Sequence, residues 1–334
     1  MSHKTNKNKN AKNCWIITEG LTGTENQCLA VAEQLEQLMP LNTAVKRTGL
    51  RQPWKTFSPY IGFECAYSFT GDALSAPWPD IVIASGRKSI AAAMYIKKKT
   101  GGKCFTIQLQ DPRIAAHNFD LVAVPAHDGL RGDNVIVTDT APNLITTEKL
   151  KTAKTEYKKM FGSYSKDRKV ISVLIGGNSK THSLTPQIAT QLCNDLKKLS
   201  DAGHSLLITT SRRTDIGMQA QLKTELKGDN VYIWTSEDES HTPNPYLGML
   251  AYGDAVIVTE DSVSMVSDAL QTSCPVYLYK LSGQSRKFDR FYKILGDADL
   301  ISTFTPDINF KTPASHKTAP AARLIAEKAA QALL

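Results

Sequence analysis

Short apolar runs alternate with longer segments of helical periodicity along most of the chain. In the first part of the sequence, five runs have the length and composition of buried strands. They cover residues 14–18, 80–84, 104–108, 121–124 and 135–138. Apolar positions recur every three or four residues in 26–39 and 88–99, which predicts two helices. Thr24 and Gln27 have the spacing of a capping box at the first of these helices.

The same alternation restarts after residue 168. Strands are predicted at residues 170–175, 204–209, 231–234, 255–259 and 275–279. Helices are predicted at residues 186–200, 215–226, 245–252, 263–271 and 319–334. Thr185 followed by Pro186 is typical of a helix start. Because strands alternate with helices in both halves, the sequence predicts an α/β fold of two doubly wound parallel-sheet (Rossmann-like) domains.

Between the two alternating regions lies a Lys-rich amphipathic segment, which we interpret as a linker. The predicted parts are a disordered basic tail, an N-terminal domain, the linker, a C-terminal domain and a terminal helix. Their bounds are residues 1–13, 14–150, 151–168, 169–315 and 316–334. The tail has no apolar stretch of the kind found in secretory signals. A solvated tail is therefore favoured over an address or a tether to an anionic surface.

Composition narrows the class of protein. With 334 residues, 41% of them hydrophobic and 22% charged, the chain has the composition of a globular protein of about two domains. The longest apolar runs are far shorter than a membrane-spanning helix. The six cysteines are scattered, which favours reduced buried thiols in a cytoplasmic protein over disulfides or a zinc site. A net charge of +8 suits phosphate-bearing ligands or an anionic membrane face, and nucleic-acid-binding signatures are missing.

Candidate chemistry lies where predicted strands end, because doubly wound sheets bind ligands at the carboxyl ends of their strands. The loop after the first strand contains Glu19 and five residues that we assign to substrate binding. These are Gly20, Gly23, Thr24, Asn26 and Gln27. The two glycines would let backbone N–H groups approach a ligand, although a plain turn also explains them. The spacing matches neither a dinucleotide-binding fingerprint nor a P-loop.

Two ionisable residues follow later strands of the first half. Asp111 and His127 come after the strands at 104–108 and 121–124. His127 could act as a general base oriented by Asp128 or Asp111. A histidine at a strand end is more often a hydrogen-bonded structural residue, so both interpretations stay open.

The second half offers anion-binding groups after three of its strands. The candidates are Gly176, Gly177 and Asn178, then Ser211, Arg212 and Arg213, then Glu260, Asp261, Ser262, Ser264, Met265 and Asp268. A Gly-Gly turn, adjacent arginines and a helix start are all typical of phosphate binding. Asp268 lies about two helical turns further on and could reach a ribose diol. A solvated arginine pair and an ordinary helix cap at Asp261 or Ser262 are the structural alternatives.

Taken together, these motifs resemble the mitochondrial-fission "elongated mitochondria" family over residues 15–304. The resemblance is carried by Gly20–Gln27, Ala84–Arg87, Asp111–Arg113, Phe119–Leu121, Pro125–Asp128, Gly176–Gly177, Thr210–Thr214, Asn244–Tyr246, Thr259–Met265 and Asp268–Ala269. The first loop of the family usually has Asp, Lys and His where this chain has Glu19, Leu21 and Thr24. Asp268 and Ser273 stand where Glu and Gly are commoner.

The resemblance implies a GT-B-like glycosyltransferase with an acceptor-side N-terminal domain and a nucleotide-sugar-binding C-terminal domain that face a cleft. Asp268 matches the acidic residue that GT-B enzymes place on the donor ribose, and the terminal helix would fold back across the cleft. The run Ser264–Ala269 is similar to a helix start of the peptidoglycan N-acetylglucosaminyltransferase.

The predicted function is transfer of a sugar from a nucleotide-diphosphate donor without a metal or another cofactor, since no Asp-x-Asp cluster occurs. Arg212, Arg213 and the helix start at 262–264 would stabilise the leaving diphosphate. His127, Asp111 or Glu19 would deprotonate the acceptor. By analogy, the acceptor would be an envelope glycolipid or lipopolysaccharide precursor met peripherally at the inner face of the inner membrane. The alternatives are a catalytically silent scaffold that binds a partner and a nucleotide-sugar epimerase.

Overall fold

The chain folds as two compact α/β units. The computed structural model describes residues 11–60, 62–308, 310 and 320–333. Unit 1 comprises the described residues up to Leu144 together with 320–333, and unit 2 comprises those from Ile145 to Phe310. The boundary therefore lies six residues before the predicted end of the N-terminal domain. Residues 1–10 of the predicted tail lie outside the described residues. So do residues 316–319 and 334 of the predicted terminal helix.

Each unit is built on a largely parallel sheet. The strands of unit 1 are β1 (Lys12–Thr18), β2 (Leu41–Leu50), β3 (Phe69–Gly71), β4 (Ile81–Ser85), β5 (Phe105–Leu109), β6 (Leu121–Pro125) and β7 (Val135–Thr138). The strands of unit 2 are β8 (Val170–Ile175), β9 (His182–Ser183), β10 (Ser205–Thr210), β11 (Val231–Trp234), β12 (Ala255–Thr259), β13 (Val276–Tyr279), β14 (Ser282–Gly283) and β15 (Ser302–Thr303). β1 begins at Lys12, so the end of the predicted tail is already strand.

The helices connect these strands. They are α1 (Thr22–Glu36), α2 (Trp54–Phe57), α3 (Arg87–Lys99), α4 (Thr147–Glu156), α5 (Lys158–Phe161), α6 (Pro186–Asp201), α7 (Ile216–Glu225), α8 (Tyr246–Tyr252), α9 (Val263–Ala269), α10 (Arg286–Asp297) and α11 (Ala321–Leu333). Thr185 caps α6 as expected, because its side chain accepts a hydrogen bond from the Ile188 N–H at 3.3 Å.

Both sheets are doubly wound. The strand order is β3-β2-β1-β4-β5-β6-β7 in unit 1, where only β3 is antiparallel. The order in unit 2 is β11-β10-β8-β12-β13-β15, with all neighbours parallel. The chain direction across each sheet reverses between β1 and β4 and between β8 and β12. The predicted GT-B-like class of two parallel-sheet domains is confirmed, and ligands are expected at these two switch points.

The start of α1 differs from the prediction. The helix begins at Thr22, so Thr24 and Gln27 lie inside it and do not form the predicted capping box. The Thr24 hydroxyl instead donates to the Leu21 carbonyl at 2.9 Å. Gln27 is buried and its side chain faces the ends of β4 and β5.

The C-terminal helix α11 belongs to unit 1. The residues of α11 that are buried in the same apolar core as Val31 and Leu35 of α1 are Ala322, Ile325, Ala326, Ala329 and Ala330. Small side chains let the two helices approach closely, and burial of their apolar faces stabilises the pair.

The segment predicted as a linker is structured. α4 and most of residues 158–168 lie within unit 2, and Phe161 is fully buried. The Phe161 ring stacks on Tyr157 with centroids 5.8 Å apart and meets Tyr232 edge to face at 5.1 Å. Gly248 lies against the Tyr157 ring, where any Cβ would come within 2.4 Å of it. The linker prediction is therefore wrong. The many lysines of this segment indicated a solvated linker, although its aromatic residues recur at helical spacing.

Three further expectations can be compared with the described residues. Among them, no helix combines the length and apolar character needed to cross a bilayer. The six cysteines are free thiols, but Cys65 is exposed rather than buried. No group of three or more His, Cys, Asp or Glu side chains in the described ranges is arranged to hold a metal ion.

Phe161→Ala tests whether this segment is part of the core. We expect it to lower the free energy of unfolding of unit 2 by about 3–5 kcal/mol, as for other buried aromatic truncations. Met160→Ala is the matched control, because Met160 is 38% exposed and its truncation should cost no more than about 0.5 kcal/mol. Denaturant unfolding followed by circular dichroism measures both. Equal, small effects would mean that the segment is a linker after all.

Candidate functional site

The buried carboxylate of Asp261 joins the loops that follow three neighbouring strands of unit 2. One oxygen accepts the Gly177 N–H at 3.0 Å and pairs with Arg213 Nη2 at 2.7 Å. The other accepts the Thr259 hydroxyl at 2.7 Å. These partners come from the ends of β8, β10 and β12, so one side chain fixes the geometry of the switch point. A buried carboxylate is tolerated because it has a cation and two other donors.

The two glycines after β8 are required by close packing. A Cβ on Gly176 would lie 2.2 Å from the carboxylate oxygens of Asp261, and one on Gly177 would lie 2.0 Å from the Arg213 carbonyl oxygen. The Gly176 N–H donates to Thr259 Oγ1 at 2.8 Å. Both amides are therefore used inside the protein. Phosphate binding at this turn stays a prediction.

The two adjacent arginines are both exposed, and Arg213 forms an ion pair with Asp261. Ser211 shapes this turn: its N–H donates to the Thr214 hydroxyl at 3.0 Å, and its hydroxyl accepts the Arg213 N–H at 3.1 Å. The Thr214 hydroxyl in turn donates to the Gly176 carbonyl. The loop that presents Arg212 is therefore fixed to the end of β8.

Helix α9 starts beside this junction. Ser262 is its N-cap, since the hydroxyl accepts the Met265 N–H at 3.3 Å. The capping alternative thus applies to Ser262, but not to Asp261. Ser264 and Met265 lie in the first turn and are partly exposed. N–H groups in a first helical turn have no acceptor within their own helix, and they favour anions.

Glu260 and Asn178 act within the fold. Glu260 Oε1 accepts the Leu281 N–H at 2.6 Å, and its carbonyl accepts the Tyr292 hydroxyl at 2.6 Å. Asn178 Oδ1 accepts the Leu184 N–H at 3.0 Å. Both side chains therefore help to order the loops of the site.

Asp268 is hydrogen bonded to a residue that sequence reasoning did not select. Its Oδ2 accepts the Tyr246 hydroxyl at 3.0 Å. Burial raises the pKa of Asp268 to about 7, although the Tyr246 hydrogen bond opposes the shift. Burial, helped by the nearby carboxylate, raises the pKa of Tyr246 well above its ordinary value. The carboxyl group therefore titrates close to neutrality.

A carboxylate and a lysine ammonium group form an ion pair at the switch point of unit 1. Glu19, after β1, accepts Lys88 Nζ at 2.6 Å on one oxygen and the Lys88 N–H at 3.2 Å on the other. Lys88 lies in the first turn of α3, so the carboxylate is at the positive end of a helix. Gly20 and Gly86 flank the pair with φ angles of +79° and +96°, which favour glycine.

The other predicted residues of the first loop lie on α1. Gly23 and Asn26 are exposed and Thr24 is partly exposed, whereas Gln27 is buried. Gln27 Oε1 accepts Gln110 Nε2 at 3.0 Å, at the end of β5. Gln110 has a φ of +74°, a conformation that is uncommon for a residue with a side chain.

The three predicted bases follow different strands. Glu19 follows β1, whereas Asp111 and His127 follow β5 and β6, which are neighbours in the sheet, and β4 separates β1 from β5. His127 is buried, with its Nε2 3.8 Å from Asp128 Oδ1. Asp111 is exposed and accepts the Arg113 N–H at 2.7 Å. Glu19 alone stands at the switch point.

Sequence reasoning missed Lys88 and Tyr246. Lys88 had a usable signal, because it is a cation at a predicted helix start directly after a strand. Tyr246 lies in the motif Asn244–Tyr246 but was not assigned to the site, because its pairing with Asp268 depends on how α8 packs beside α9.

Comparison with known sequences identifies relatives. The family model described as mitochondrial fission ELM1 matches residues 22–329. The mitochondrial fission protein ELM1 of Arabidopsis thaliana is 32% identical over 252 residues, which cover 68% of this chain. The match spans only 57% of that plant protein. The uncharacterized protein RP120 of Rickettsia prowazekii is 26% identical over 94% of this chain and 97% of its own length.

Comparison with solved structures identifies proteins of similar fold. The UDP-GlcNAc 2-epimerase of Methanocaldococcus jannaschii superposes with a TM-score of 0.55 at 11% identity, over 96% of this chain and 99% of the other. The UDP-GlcNAc 2-epimerase of Neisseria meningitidis, bound to UDP-GlcNAc, gives 0.51 at 13% identity, over 95% and 99%. At such identities the similarity shows the fold alone.

Asp261→Ala should destabilise unit 2, because it leaves two donors and Arg213 without their buried acceptor. We expect a loss of about 3 kcal/mol in the free energy of unfolding, the low end for a broken buried ion pair, since Arg213 is partly exposed. Lys227→Ala, at an exposed site of unit 2, is the control and should change it by less than about 0.5 kcal/mol. Denaturant titrations compare the two, and similar losses would contradict the assigned role of Asp261.

The titration of Asp268 should be visible in stability. Its pKa is about 7 in the folded protein and about 3.9 in an unfolded chain. The folded state therefore binds an extra proton between these values, and the free energy of unfolding falls as pH rises from about 4 to 7. Asp268→Asn should remove a decrease on the order of 3 kcal/mol between pH 5 and 8. Asp289→Asn, at an exposed site, should retain the wild-type dependence. Unchanged pH dependence in Asp268→Asn would refute the prediction.

Proposed function

The chain belongs to the mitochondrial fission ELM1 family, and we propose that it is a glycosyltransferase that uses a nucleoside-diphosphate sugar. The observation that carries the proposal is the junction around Asp261. It holds the turn of Arg212 and the start of α9 beside one another at the switch point of unit 2. Ligands of doubly wound sheets bind at such positions.

The donor diphosphate is assigned to this junction. Negative charge grows on the diphosphate as its bond to the sugar breaks, and fixed cationic donors stabilise that charge. Arg212 supplies an exposed guanidinium, while Arg213 orders the loop through Asp261. First-turn N–H groups of α9 add further donors. Asp268 is assigned to the ribose. This chain shares its fold with an epimerase whose structure contains bound UDP-GlcNAc, and this similarity supports a nucleotide sugar as the ligand.

The acceptor is assigned to unit 1, with Glu19 as the base. Lys88 holds both carboxylate oxygens of Glu19 at the switch point. In the proposed reaction, the acceptor hydroxyl gives its proton to Glu19 and its oxygen bonds to the anomeric carbon. The bond from that carbon to the diphosphate breaks, and the nucleoside diphosphate leaves. No metal or further cofactor enters the proposal. The proposed acceptor is a glycolipid, which the protein would meet peripherally at a membrane.

A nucleotide panel tests the donor site. UDP, GDP, CDP, ADP and their sugar conjugates are screened by thermal shift; a ligand at a hundred times its dissociation constant adds about 2.7 kcal/mol of stability. One nucleotide should raise the melting temperature, and Arg212→Ala should weaken that effect. With the matching donor, Arg212→Ala should lower turnover by about a hundredfold, as expected for one electrostatic stabiliser.

Arg168→Ala is the matched control. Arg168 lies in the same unit but precedes β8, at the opposite edge of the sheet, and pairs with Asp229. It should bind and turn over the donor like wild type. No shift with any nucleotide would favour a scaffold that binds a partner. Product formed without any acceptor would favour an epimerase.

A further inference from the structure

The connection between β2 and β3 exposes a group of large aromatic side chains. Within the described residues, every mostly exposed Phe or Tyr lies in this connection, which we call the aromatic segment (residues 51–60 and 62–67). Phe57, Tyr60, Phe63 and Tyr67 are between 55% and 79% exposed. Single exposed apolar residues are ordinary, but a concentrated group marks a surface that another phase or molecule covers.

The same stretch of chain has more cations than acids. It contains Arg51 and Lys55, and its one acid is Glu64. The guanidinium of Arg51 lies over the Tyr67 ring, 4.8 Å from its centroid. Lys55 is exposed beside Phe57 in the sequence. Exposed aromatic rings close to cationic side chains are typical of segments that lie at the surface of an anionic bilayer.

Hydrogen bonds hold the aromatic segment in place. Arg87 donates through Nε and Nη2 to the Ser58 carbonyl at 3.0 and 2.8 Å. The Trp54 indole N–H donates to the Phe63 carbonyl at 3.2 Å. These hydrogen bonds attach the backbone at Ser58 and Phe63 to Arg87 and Trp54, while the rings of Phe57 and Phe63 are exposed. Little conformational entropy is then lost when they contact another surface.

The anchoring residue also places the segment next to the candidate acceptor site. Arg87 is the first residue of α3, and Lys88, the partner of Glu19, directly follows it. Leu21, 62% exposed, lies two residues after Glu19. The exposed apolar side chains thus lie at the same edge of unit 1 as the proposed base.

We propose that the aromatic segment docks unit 1 on an anionic lipid bilayer. The rings of Phe57, Tyr60 and Phe63 insert at the headgroup level, while Arg51 and Lys55 contact lipid phosphates. Docking would bring the Glu19–Lys88 pair to the headgroups of a membrane-bound acceptor. The link to an acceptor rests on the proposed function, but lipid binding itself needs neither donor nor turnover.

Vesicle co-sedimentation of the full chain tests the proposal. Vesicles of phosphatidylcholine with about 30% phosphatidylglycerol are compared with phosphatidylcholine alone, because basic residues near a surface select anionic lipid. Wild type should bind the anionic vesicles. The double variant Phe57→Ser/Phe63→Ser should bind at least about tenfold more weakly, since two inserted rings are lost. Ile216→Ser, which removes an exposed apolar residue of unit 2, should bind like wild type.

A charge variant isolates the electrostatic part. Lys55→Ser should weaken binding to anionic vesicles by about fivefold at low salt and by less at high salt, where charges are screened. Lys227→Ser, at an exposed site of unit 2, is the control and should not change it.

Three outcomes would overturn the proposal. They are wild type that fails to bind anionic vesicles at low salt, a Phe57→Ser/Phe63→Ser variant that binds them normally, and a segment whose aromatic residues instead join two copies of the chain. The last would appear in analytical ultracentrifugation as wild-type dimers that the double variant abolishes. The nucleotide-induced thermal shift should be the same in wild type and the double variant. Failure of docking is thereby distinguished from failure of the proposed donor site.

Discussion

The buried ion pair between Asp261 and Arg213 is the constraint on which the switch point of unit 2 depends. The hydrogen bonds of a parallel sheet join its strands but not the loops that follow them. Other interactions must therefore hold those loops in place relative to one another. Here one carboxylate binds donors from the ends of β8, β10 and β12. Its closeness requires glycine at 176, and the turn that carries Arg213 requires glycine at 177. A site that stabilises a developing charge gains from such rigidity, because its donors need no rearrangement.

Both units have an ion pair at the switch point, but its carboxylate is buried in unit 2 and partly exposed in unit 1. In each unit, a carboxylate is paired with a cationic side chain at the point where the strand order reverses. In unit 2 the acid is fully buried and joins loops, which makes it a structural group. In unit 1 Glu19 stays partly exposed, and both of its oxygens are held by Lys88 at the start of α3. The difference in exposure is the reason for assigning chemistry to Glu19 and architecture to Asp261.

Regular elements were predictable where burial imposes a simple pattern. β8, β11, β12 and the start of α6 lie where the sequence places them. β2 was missed because Leu41–Leu50 is buried only at its ends and has polar and cationic residues between them. The linker prediction failed because the lysines of residues 151–168 outnumber Tyr157, Phe161 and Tyr164. Only packing against α8 and β11 shows that these rings are core.

The sequence by itself determined the two α/β domains and the loops that border each switch point. Strand length, helical periodicity and turn residues are local properties of the sequence. They can be recognised without knowing which other parts of the chain lie nearby in the fold. Only the tertiary structure decided which polar groups those loops use internally. Gly176, Gly177, Glu260 and Asn178 are ligand-binding candidates in the sequence, yet each donates or accepts a hydrogen bond within the protein. Hydrogen-bond partners distant along the chain become known only when the strands are side by side, since a buried polar group must be satisfied by whatever lies nearest.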